Sequence, residues 1–90
     1  MPVRWKAGFI PRQIAGEYVL VPVGEAAKQV RGMLGLSESG YLLYSLLQEE
    51  RSRQELIDAL LREYDADPET ARQDVDDFLA GIDGLGLLEK

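Results

Sequence analysis

Along the 90-residue chain the spacing of apolar positions changes near Ser37, dividing a strand-like part from a helical part. Before that point, Phe9-Ile-Pro-Arg-Gln-Ile14 and Glu17-Tyr-Val-Leu-Val-Pro22 are short runs rich in β-branched and aromatic residues, which suit a pleated, half-buried surface. Ala15-Gly16 between them predicts a hairpin turn, since glycine supplies the positive φ that tight turns require. Pro22 has no backbone N–H and marks a strand end or an edge. A loop through Gly24–Lys28 then leads to a third predicted strand over residues 29–36. In it Val30, Leu34 and Leu36 share one face, with Arg31 and Met33 on the other.

From Ser37 the period is helical. Ser37 is a candidate N-cap for a first helix in which Leu43, Leu46 and Leu47 share a face beside Tyr41 and Tyr44, and Glu49-Glu-Arg51 closes it. A second helix opens with a capping box, Ser52-Arg-Gln-Glu55, and carries Leu56, Ile57, Leu60, Leu61 and Tyr64 at helical spacing. A third has Asp67 as N-cap, Pro68 at its first position, and Ala71, Val75, Phe78, Leu79 and Ile82 as its apolar face. Gly84 or Gly86 stops it, leaving Leu87-Leu88 to pack back as a short extension. The order predicts an α+β domain over residues 1–90. A small three-stranded antiparallel sheet at about 9–36 is followed by a three-helix bundle at about 38–84, a winged helix-turn-helix-like arrangement.

Composition narrows the function. At this length a chain buries about 60% of its unfolded surface, so the core is thin. The sequence contains no cysteine and no histidine, which removes disulfides, thiolate and imidazole metal ligands, and Cys- or His-based catalysis. No cofactor and no enzymatic activity are expected. The start lacks a secretory h-region, and the longest aliphatic run, Tyr18–Val23, is far short of a membrane span, so a cytoplasmic protein without membrane contact is expected. Charge is divided unequally. Residues 1–36 hold five basic groups against two acidic, and residues 37–90 hold five basic against fourteen acidic. Nucleic-acid binders need a basic stripe to release counterions from phosphate, and the helical part has the wrong sign.

Several motifs invite chemistry that their surroundings deny. Gly35-Leu-Ser-Glu-Ser-Gly40 has the glycine spacing of a phosphate loop, but Tyr41-Leu42 follows where Lys and Ser/Thr are required, and Glu38 would repel phosphate. Asp74, Asp76 and Asp77 form a solvated acidic face without the oxygen-rich loop that calcium needs. Trp5 and Phe9 read as cover for a core edge or as a partner contact, and Tyr41 and Tyr44 as helix packing or as ligand contacts. Residues 29–36 hold Arg31 and no proline, so this edge is poorly blunted. Glycines at 32 and 35 there remove side chains where a visiting backbone would approach, the geometry of β-augmentation, or else mark a bulge or bend.

The ordered segments Gly16-Glu-Tyr-Val-Leu20, Leu36-Ser-Glu-Ser-Gly40, Glu55-Leu-Ile through Tyr64, and Asp74-Val75 through Gly86-Leu-Leu88 resemble the PqqD family of peptide chaperones, the recognition elements for precursors of ribosomally made natural products. The resemblance spans roughly residues 8–90 and is closest to generic stand-alone members. Ser37 departs from the asparagine common in the family, although serine also caps a helix. It implies a non-catalytic module that binds the leader of a precursor peptide as an added strand and presents it to a modifying enzyme, such as a radical SAM maturase. Carried onto this chain, the edge is Val30, Arg31, Gly32, Met33, Leu34, Gly35 and Leu36. The groove wall is Val75, Phe78 and Leu79 of the third helix, rimmed by Arg72 and Asp74. The alternatives are a winged-helix DNA-binding or regulatory domain and a homodimer formed by self-pairing of the edge.

Overall fold

A computed structural model describes residues 2–89. Its elements in chain order are β1 (Arg4–Trp5), β2 (Phe9–Ile14), β3 (Glu17–Pro22), α1 (Glu25–Gln29), β4 (Leu34–Leu36), α2 (Glu38–Leu46), α3 (Arg53–Glu63), α4 (Pro68–Gly84) and β5 (Leu88–Glu89). Strands β2, β3 and β4 form a three-stranded antiparallel sheet in that order, as the patterning predicts. The β2–β3 hairpin turns through Ala15 and Gly16, both at positive φ (52° and 81°), as in a type I′ turn. Cross-strand register puts Pro11, Leu20 and Leu34 in one row, and Arg12, Val19 and Gly35 in the next. Leu20 is completely buried, so its row faces the core and the Arg12 row faces away.

Two expectations for the sheet are corrected. Glu25-Ala-Ala-Lys28, read as part of a loop, and Gln29, read as the start of the third strand, form α1, composed of good helix formers and closed by a Lys28–Glu25 ion pair at 3.2 Å. This helix uses up the start of the strand predicted over 29–36. Gly32 then stands at φ +77°, which interrupts an extended path, and pairing begins only at Leu34. The third strand is therefore three residues long, and the described residues form four helices where three were expected.

The later helices keep their predicted boundaries closely. Ser37 caps α2 by accepting from the Gly40 N–H at 3.1 Å, and Ser52 and Glu55 form the reciprocal capping box of α3. Asp67 caps α4, with Pro68 following it. At the far end of α4 the Gly86 N–H donates to Asp83 O and the Leu87 N–H to Ile82 O, a Schellman closure that turns the chain back. Leu87 and Leu88 then enter the core, and Leu88 pairs with Trp5 as β5 meets β1. That two-residue ribbon has no pattern to read in the sequence.

Leu20, Leu43, Leu47, Leu56, Ile57, Leu60, Val75 and Leu87 fill the centre, and the described residues include no buried charged or polar residue. Trp5 is buried among Phe9, Tyr44 and Phe78, which answers its reading as a core residue. Among the described residues no helix is long and apolar enough to cross a membrane.

Candidate peptide-binding edge and cleft

β4 pairs with β3 through Tyr18↔Leu36, Val19↔Gly35 and Leu20↔Leu34, and its other edge has no strand partner among the described residues. The backbone groups of β4 that point away from β3 are thus left to an incoming strand. Leu34 and Leu36 are half-buried and pack against the core, while Gly35 faces outward beside Val19. A Cβ on Gly35 would meet nothing within 4 Å, because it would stand over the outer face of the sheet. The glycine therefore does not widen the edge itself, a correction that follows from side chains leaving a sheet normal to its plane. Of the remaining predicted edge residues, Val30 ends α1 and packs half-buried on the core. Arg31, Gly32 and Met33 are exposed in an irregular segment, Met33 with 59% of its surface accessible.

Where β4 ends, the chain turns at Ser37 into α2 and opens onto a cleft of about 250 Å³. It is lined by Ser37, Ser39 and Gly40 on one side and Asp74, Asp77 and Phe78 of α4 on the other, over Leu43 and Leu60. A neighbouring hollow of about 330 Å³ shares Ser37, Ser39, Leu60 and Asp74 and continues it towards Tyr64, Ala66 and Ala71. Leu43 and Leu60 are 2% and 3% exposed, so the floor is the core itself. A wider hollow of about 460 Å³ at the hairpin end, lined by residues 16–18 and 35–38, touches no buried residue and lacks such a floor.

Gly40 sits where the end of β4, the cap of α2 and Phe78 of α4 meet. An ideal Cβ there would lie 3.2 Å from Ser37 Oγ, tighter than most Cβ contacts, and at ordinary contact distance from Phe78 Cε1 (3.4 Å) and Leu36 Cβ (3.7 Å), so the missing side chain chiefly spares the Ser37 cap. Sequence reasoning passed over Gly40 except as the end of a motif. The available signal was a glycine in the first turn of a helix, where propensity argues against it.

Phe78 and Asp74, two of the expected groove residues, line the cleft, and Asp77, Ser39, Leu43 and Leu60 join them without having been assigned to the groove. Val75 is completely buried and anchors α4 instead of facing the groove. Leu79 is half-buried against the core, and Arg72 is exposed; neither lines the cleft.

Asp74, Asp76 and Asp77 of α4 play different parts. Asp76 receives two hydrogen bonds from Arg53, at 2.6 and 2.9 Å, which tie α4 to α3 and hold its carboxyl below the usual carboxylate range. Asp77 accepts from Gln73 at 2.8 Å, and Asp74 has no hydrogen bond or ion pair with another described residue. No described cation pairs with Asp74 or Asp77, and no described cluster of acidic groups is arranged to hold a metal. Burial, and then the Glu38 carboxylate beside it, push the Tyr64 phenol above its ordinary value.

Comparison with known proteins bears on this site. Among curated proteins, none matches the chain. A solved structure, TbiB1 in complex with the TbiA(beta) leader peptide, superposes with a TM-score of 0.72 at 29% identity, covering 96% of this chain and 94% of that one. The family model described as coenzyme PQQ synthesis protein D (PqqD) matches residues 17–88, from the start of β3 to β5. The chain belongs to the PqqD family.

Proposed function

We propose that this protein is a peptide-binding module that takes up the leader of a ribosomally synthesised precursor peptide. The leader adds as a strand to the open edge of β4, places side chains into the cleft between the start of α2 and α4, and is presented to a separate modifying enzyme, such as a radical SAM maturase. The observation that carries this is an unpaired strand edge running directly into a cleft floored by the core. Backbone hydrogen bonds along such an edge supply affinity, and pockets for alternate side chains supply specificity. The likeness to TbiB1, solved with a leader peptide across nearly the full length of both chains, supports the same reading. The chain acts here without catalysis of its own.

The test is an NMR titration with the leader encoded by a precursor gene adjacent to this protein's gene. Amide shifts concentrated at Leu34–Leu36, Ser37–Gly40 and Asp74–Phe78 are expected. Shifts confined to β2, or no binding, would overturn the assignment.

A further inference from the structure

The cleft beyond β4 has an apolar floor and an uncompensated acidic rim. Leu43, Leu60 and Phe78 form the apolar part. Asp74 and Asp77, three residues apart on α4, stand at the opposite wall from Ser37 and Ser39, and no described cation pairs with either. Asp76, which has its cation in Arg53, is absent from the lining. Two neighbouring carboxylates without a counter-charge repel one another, and a peptide covering the cleft would remove water that now screens them. An apolar peptide residue alone would worsen that repulsion. A cation at the rim would relieve it.

The remainder of the helical part favours the same ligand. Residues 37–90 carry five basic groups against fourteen acidic, a field that draws in cationic peptides and speeds their encounter. A strand rises about 3.3 Å per residue, so a peptide paired along Leu34–Leu36 reaches Ser37 and the cleft within one or two residues of the paired stretch.

From these features we infer that the cleft selects leaders carrying a lysine or arginine next to an apolar anchor, at the end of the added strand that passes Leu36. The anchor side chain rests on Leu43, Leu60 and Phe78, and the cation bridges Asp74 and Asp77. This rests on the proposed strand addition and specifies which peptides use it.

The experiment selects a displayed library of random dodecapeptides on the intact wild-type protein and on an Asp74→Asn/Asp77→Asn variant. Enriched peptides are then synthesised with a fluorescent label, and affinity is read by anisotropy. Wild-type protein should enrich Lys or Arg adjacent to an apolar residue, and the variant should not. Changing that Lys or Arg to Gln should weaken binding to wild type about five- to tenfold, with less than about a twofold change on the variant, and the difference should shrink at high salt. Binding of the Gln peptide by both proteins with equal affinity shows that the variant is folded. Peptides that shift the Leu34–Leu36 amides yet show no basic preference, or lose equally on both proteins, would overturn the inference and leave strand addition standing. If no enriched peptide shifts those amides, strand addition itself fails, and this inference with it.

Discussion

The sheet has two outer edges, and they are built differently. β2 is six residues long and carries Pro11 in its middle, which lacks an N–H to offer, with Arg12, Gln13 and Ile14 exposed around it. Such an edge is closed to a visiting strand by its own chemistry. β4 is three residues long and has neither proline nor charge. Its shortness guards against indiscriminate pairing, and it lies beside the α2–α4 cleft, where the proposed leader strand would place its side chains. A long edge needs chemical blunting, whereas a short one beside a pocket gains selectivity from the pocket.

The largest effect should come from the floor behind β4. Leu60 is almost wholly buried and belongs both to the core and to the cleft. Leu60→Ala should cost about 2–5 kcal/mol in chemical denaturation. A value near zero would mean that the cleft floor is separate from the core.

Restoring a donor to the other edge probes the contrast directly. Pro11→Val should alter stability by no more than about 1 kcal/mol, while raising self-association measured by light scattering. An unchanged monomer at high concentration would show that Pro11 is not what keeps β2 from pairing.

Gly35→Val should be milder. Its side chain would stand over the outer face, so stability should move by about 0.5 kcal/mol or less and leader affinity should be largely kept. Loss of binding without loss of stability would return the glycine to the edge.

The smallest effect concerns the tie between α4 and α3. Arg53 lowers the Asp76 pKa in the folded protein, so the pair stabilises above the unfolded carboxylate value and this contribution fades as pH falls through the folded one. Asp76→Asn should melt slightly below wild type at pH 7, and the two curves should converge on acidification through the lowered folded pKa of Asp76. Convergence on raising the pH instead would reverse the sign of the coupling. Both side chains are about half exposed, so salt should also narrow the gap.

Much of this was legible in the residues. The hairpin at Ala15-Gly16, the caps at Ser37, Ser52 and Asp67, and the apolar faces of α2, α3 and α4 are local patterns, and the structure keeps each of them. The third strand, predicted over residues 29–36, forms only at Leu34–Leu36. Short helical and extended propensities compete closely there, and α1 with Gly32 decided the outcome. The cleft was only partly visible. Phe78 and Asp74 were found from the family resemblance, whereas Gly40, Leu43, Leu60 and Asp77 come from three different helices and share no spacing.

The sequence by itself determined the class of fold, the boundaries of α2, α3 and α4 and the excess of acid in the helical part. Those depend on period, capping and composition, all of which act within a few residues or need no geometry at all. Tertiary structure alone decided that Val75 faces inward while Phe78 reaches the strand end, and that Asp76 is neutralised while Asp74 and Asp77 are not. Neighbouring residues on one helix meet different surroundings according to how that helix is rotated against its partners, and packing of the whole core sets that rotation.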